Sequence, residues 1–118
     1  MNIQNLIDIN QQNAEKEEYL PEQDKIAAGN PAQGIWNVFS SKDEKFNAGV
    51  WDSQAGKWKV SYSEDEYCVI LEGESIIHDE DGNTKTVKAG DHFMVPAGFS
   101  GHWEVPSYCK KIYVVYEA

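Results

Sequence analysis

From Ile35 to its end the chain is a succession of short runs: IWNVFS, FNAGVWD, KWKVSY, EYCVILE, ESIIHDE, TKTVK, DHFMVP, GHWEVP and CKKIYVVYE. They are rich in aromatic and β-branched residues, which suit a half-buried pleated surface, and Gly, Asp, Asn, Pro and Ser fall between them. Eight or nine strands at this spacing predict an all-β domain, a sandwich or a closed barrel. The pair Asp81-Gly82 favours a tight hairpin, because glycine accepts a positive φ, so strands over 74 to 79 and 84 to 88 are expected to pair antiparallel. Pro96, which has no N–H for a ladder, ends a strand in VPAGFSG.

Residues 1 to 33 are different in kind, with clusters of Asn, Gln and Glu. They read as an N-terminal arm or edge segment, with residues 34 to 118 as the β-barrel domain. In IQNLIDI the apolar positions 3, 6, 7 and 9 fit a short amphipathic helix or a strand equally. The 118 residues suffice for one sizeable core and hence one site.

Charge narrows the partners. Twenty acidic residues face ten basic ones, a net charge of -10, which repels phosphate backbones and anionic membranes. No nucleic acid and no membrane partner is expected. All ten basic residues are lysines, so the bidentate fork of arginine is missing for clamping an anion. Cys68 and Cys109 lie in strand-like runs and read as free thiols of a reducing compartment. No apolar run is long enough for a membrane span and no leader is evident, so the expectation is a soluble, cytoplasmic protein.

Two spacings carry a resemblance. Glu66 to Gly73 is Glu, six residues, Gly, and GDHFMVPAG, Gly90 to Gly98, is Gly, five residues, Pro, one residue, Gly. With a hairpin between them, they resemble the two motifs of the cupin superfamily. The stretch from 34 to 116 is similar to the single-domain cupins grouped with ureidoglycine aminohydrolase and the ethanolamine-utilisation cupins. The resemblance implies a single jelly-roll-like β-barrel, and homodimers are common in the family. In its metal-binding members two histidines precede the Glu and a third follows the Pro-x-Gly glycine. These counts land here on Tyr62 and Val60, or on Ser61 and Lys59, and then on Gly101, with His102 one place later. Only Glu66 stands in place, and these departures from the family's ligand pattern make a metal-free site the expectation. If a bulge slipped the register, Glu66 and His102 would be the ligands for Mn, Fe, Ni or Zn.

Strand alternation puts Glu66 on the side of Cys68 and Ile70. The inward set becomes Trp58, Val60, Tyr62, Glu66, Cys68 and Ile70, joined by Trp103 and Val105. A buried carboxylate needs a partner, and Tyr62 is within reach as a donor. The candidate ligand-binding residues are therefore Glu66, Tyr62, Trp58, Cys68 and Trp103, with His102 at the rim; Glu66 reads equally as a structural residue. Aromatic rings beside a carboxylate suit a cationic or zwitterionic amine-type ligand. Cys68, buried beside a carboxylate, would have a raised pKa and be a poor nucleophile. Three functions fit: a metal-free small-molecule binder, a metal-dependent enzyme resembling ureidoglycine aminohydrolase, and a non-catalytic dimeric partner subunit whose arm adds a strand across a two-fold axis.

Overall fold

The computed structural model describes all 118 residues, Met1–Ala118. Eight antiparallel strands form a single sheet: β1 (Glu17–Tyr19), β2 (Ile26–Gly29), β3 (Gln33–Ser40), β4 (Phe46–Ser61), β5 (Asp65–Asp79), β6 (Thr84–Lys88), β7 (His92–Val95) and β8 (Ser100–Tyr116). Three short 3-10 turns lie in the first 25 residues, and there is no α-helix.

The nine runs of the sequence become six strands because three of the gaps between them are bends. β4 unites FNAGVWD with KWKVSY, β5 unites EYCVILE with ESIIHDE, and β8 unites GHWEVP with CKKIYVVYE. The β4–β8 ladder slips between Gln54 and Gly56, opposite Pro106 and Ser107. The β5–β8 ladder slips between Ile70 and Glu72 and again between Gly73 and Ile76. Bulges bend a strand and sharpen its twist, so three neighbouring strands turn together and the sheet folds over on itself. Gly73 makes this possible: its φ is 71°, and a Cβ there would sit 1.8 Å from the Tyr108 carbonyl oxygen.

On one side of the fold line the order is β1-β3-β4-β8-β5-β7, and on the other β2-β4-β8-β5-β6. This is a double-layered jelly roll, the fold that the resemblance implies. It is not a closed barrel, because neither β6 nor β7 pairs with β1, β2 or β3. The hairpin stands where the sequence predicts it, from Glu74↔Lys88 to His78↔Thr84, with Gly82 at φ 85°. The Asp79 carboxylate accepts from the Asn83 side chain and from the backbone N–H groups of Asn83 and Asp81, and these bonds hold its pKa below the ordinary value. The arm folds onto its own chain, β1 against β3 and β2 against β4.

Between the layers lie Trp51, Trp58, Trp103, Ile70, Val105 and the two free thiols, Cys68 and Cys109. The Trp103 indole donates to Ser75 Oγ at 2.9 Å, so the most deeply placed ring leaves no buried donor unpaired. Part of the outer face of the first layer is also apolar. Cross-strand partners share a face, and two uncharged rows run across five strands: Trp36, Val50, Ile112, Val69, His92, and Phe39, Ala48, Val114, Tyr67, Met94.

Candidate functional site

Glu66 lies inside. Its side chain is 8% exposed, and a second buried charge faces it: Lys111, 5% exposed, places Nζ 3.2 Å from Oε2 and 3.3 Å from Oε1. Tyr62 Oη donates to Oε1 at 2.8 Å. Lys111 reaches this position because it alternates with Cys109 and Tyr113 on the inward face of β8, across from Trp51 on β4 and Ile70 on β5. Its Nζ lies 4.2 Å from the ring centroid of Trp103 and 4.7 Å from that of Trp51. The ammonium is thus held by one carboxylate and two indole faces, whose negative quadrupoles attract it more strongly away from water.

Burial alone would lower the Lys111 pKa, but the Cys68, Glu66 and Tyr62 groups around it outweigh that effect and raise it above the ordinary lysine value. Burial, reinforced by Glu66 and opposed by Lys111, pushes the Cys68 thiol up to about 12 and the Tyr62 phenol well above its usual range. Both stay protonated at pH 7, and Cys68 is no nucleophile. Lys111 is no nucleophile either, because its amine carries a proton.

A cleft of about 530 Å³ opens onto this group. Its buried lining is Trp51, Trp58, Trp103, Glu66, Lys111, Tyr113 and Gln33; the arm supplies Tyr19, Pro21, Glu22 and Lys25, while Lys59 and Glu64 come from the domain side. Trp51 Nε1 donates to Gln33 Oε1 at 3.1 Å and to Tyr19 Oη at 3.0 Å. Gln33 is 6% exposed, and its Nε2 has no hydrogen-bond partner. A buried donor left in this state costs about 1–3 kcal/mol.

The structure brings together four residues singled out from the sequence, Glu66, Tyr62, Trp58 and Trp103, as walls of one cleft. Cys68 belongs to the core cluster and is absent from the lining. His102 is elsewhere. The ladder is unbroken from Ser100 to Val105, so His102 pairs with Lys59 and His78 and points away from the face that carries Trp103. The bulge that would have turned it inward is not there, and Glu66 and His102 cannot share an ion. His78 bonds Glu104 at 2.8 Å, and His92 Nδ1 lies 3.1 Å from Tyr67 Oη. No three His, Cys, Asp or Glu side chains gather around any point that would suit a metal. The donors at Glu66 do not fit one: a protonated amine and a phenol already occupy the carboxylate.

Lys111, Gln33, Trp51 and Tyr19 were not among the residues singled out. The signal for Lys111 was present in CKKIYVVYE, where the period of two that buries Cys109 and Tyr113 also buries Lys111. Gln33 and Tyr19 fell outside the domain boundary drawn at residue 34.

A folded-over jelly roll that carries the Glu66–Gly73 and Gly90–Gly98 spacings places the chain in the cupin class. Residues 40–113 match the EutQ-like cupin domain, and the chain belongs to that family. It is 35% identical over 68 residues to the acetate kinase EutQ of Salmonella typhimurium, covering 58% of this chain and 28% of the relative. With the acetate kinase EutQ of Clostridioides difficile it shares 26% identity over 104 residues, 84% of this chain and 64% of the relative. The chain therefore spans less than two thirds of either curated relative. The crystal structure of a putative ethanolamine utilization protein Q from Salmonella typhimurium superposes with a TM-score of 0.65 at 28% identity, covering 73% of this chain and 70% of that one.

Proposed function

We propose that this cupin domain is a metal-free small-molecule-binding module in which Lys111 serves as the resident cation of the cleft. The observation that carries the reading is the Lys111 ammonium, fixed against Glu66 and over the faces of Trp51 and Trp103 in the wall of a 530 Å³ cleft. A pocket with apolar aromatic walls and a few convergent polar groups is the ordinary form of a ligand site. The sequence argument for a cationic or zwitterionic amine ligand relied on an aromatic box open to a ligand's ammonium. Lys111 takes that seat, so an amine would have to bind without it. Elemental mass spectrometry on untagged protein, grown with Mn, Fe, Ni, Zn and Cu and kept from chelators, is expected to find only trace metal. Near-stoichiometric metal that disappears in Glu66→Ala would overturn the reading and restore a metal-dependent enzyme.

The curated relatives favour a second reading, phosphoryl transfer involving acetate, because both carry the name acetate kinase. The chain has no arginine and a net charge of -10, neither of which assists binding of a nucleotide's phosphates. Formation of acetyl phosphate from acetate and ATP by the purified chain, abolished in Lys111→Met, would establish this alternative.

A further inference from the structure

We propose that the cleft takes an uncharged ligand through an amide-type carbonyl, and that Gln33 is the residue that recognises it. This rests on the reading of the cleft as a small-molecule site. The inference comes from a count of which hydrogen-bonding groups in the wall are already used. Glu66 Oε1 accepts from Tyr62 and Lys111, and Oε2 faces Lys111 as well. Gln33 Oε1 and Tyr19 Oη both accept from Trp51 Nε1. The indole nitrogen has a proton and no lone pair to share, so only the oxygen of the Gln33 amide can face it. The orientation of the amide is thereby fixed, and its NH2 is the group left over, buried and unpartnered beside the cleft. The Tyr19 hydroxyl, having accepted from Trp51, keeps its own proton to donate. Around Trp51 and Lys111 the buried wall therefore has donors to offer, and its carboxylate and its amide oxygen are occupied.

Charge decides which acceptor fits. Lys111 and Glu66 cancel, and the rest of the lining adds two acidic residues, Glu22 and the half-buried Glu64, and two basic ones, Lys25 and Lys59. At the buried wall, where Lys111 and Glu66 are each other's partner, a carboxylate would be desolvated without a free counter-charge, as would an ammonium; the unpaired lysines and glutamates stand away from it, at positions 22, 25, 59 and 64. Gln33 Nε2 is closed to solvent, so a ligand reaches it by a small shift of the wall; an amide carbonyl then accepts from it without bringing a charge, and the rings of Trp58 and Trp103 suit a flat body attached to it. Trp51 joins the two halves of the site, with its N–H on Gln33 and its face under Lys111.

Benzamide, benzoate and benzylamine share a flat body and differ in the head group. Titrated into the full chain labelled with 15N, with the four tryptophan indole N–H signals followed by NMR, they test the inference directly. Benzamide is expected to move the Trp51 signal and to bind at least tenfold more tightly than the other two. Gln33→Met, which keeps length but has no N–H, is expected to weaken benzamide about tenfold with little change for benzoate. Should that variant fail to fold, Tyr19→Phe, at a position 41% exposed, is expected to weaken it about threefold. Benzoate or benzylamine binding as tightly as benzamide, or benzamide binding unchanged in a folded variant, would overturn the ligand class and leave the cleft a binding site. No binding by any of the three to a folded chain would remove the small-molecule reading and this inference together.

Discussion

Lys111 and Glu66 constrain each other. Removing one partner of a buried ion pair strands the other charge at a cost of about 3–5 kcal/mol, whereas replacing both with apolar groups of similar volume is often neutral. Lys111→Met is therefore expected to lower the unfolding free energy by about 3–5 kcal/mol in urea denaturation. Adding Glu66→Leu to that variant is expected to recover most of the loss; a double variant as unstable as the sum of the singles would mean that the two charges do not interact. The carboxylate half of the pair was legible in the sequence, because alternation alone puts Glu66 beside Cys68. The ammonium half was equally written in the alternation of β8. A pair of adjacent lysines reads as solvated surface unless each is assigned its own face.

At the level of the strand, the bends that shape the cleft depend on particular residues. Gly73 and Gly82 both have positive φ, but only Gly73 is crowded; a Cβ at Gly82 meets nothing within 4 Å. Gly82→Ala is expected to cost about 1 kcal/mol, the strain of the backbone region alone. Gly73→Ala should cost severalfold more, since the β5–β8 approach must open, and equal shifts in denaturation midpoint would contradict this account of the fold line. Strand composition and the hairpin were visible in the sequence. The merging of runs was not, because Ser, Gly and Pro mark bulges as well as turns, and only the partner strand distinguishes them. The same limit hid the arm, whose β1 and β2 are only three and four residues long and gain their pairing from β3 and β4.

The molecule as a whole carries a net charge of -10, yet two adjacent rows on the outer face of one layer carry no charge, between the Asp52, Lys110 and Glu72 row and Asp65. Five residues beside or within that face, Phe39, Phe46, Tyr67, Met94 and Tyr116, are each more than a third exposed. Trp36, Ala48 and Val50 are already buried within the chain, and two like-charged copies meet with least repulsion where neither bears charge, so we propose that the exposed part of these rows, around Phe39, Tyr67 and Met94, joins two copies in a homodimer. Sedimentation equilibrium is expected to give twice the chain mass of 13.3 kDa, and Val114→Lys, at the centre of the second row, the chain mass itself with the fold retained. A wild-type monomer at micromolar concentration would refute the interface. No helix is long and apolar enough to cross a membrane.

The central claim is that the cleft carries its own cation, and the ionisation of Lys111 tests it. The folded state raises this pKa above the 10.5 of an unfolded lysine. Its contribution to stability is then fully present below pH 10.5 and is lost as pH rises through the folded value, because in that window the native state holds the extra proton. NMR of the lysine side-chain nitrogens across pH 7 to 12 is the measurement to make. One slowly exchanging ammonium should persist beyond the point where the other lysines have titrated, and it should vanish in Lys111→Met. If Lys111 titrates with the surface lysines or below them, the ammonium is not held by Glu66 and the indole faces, and the metal-free reading of the cleft loses its foundation.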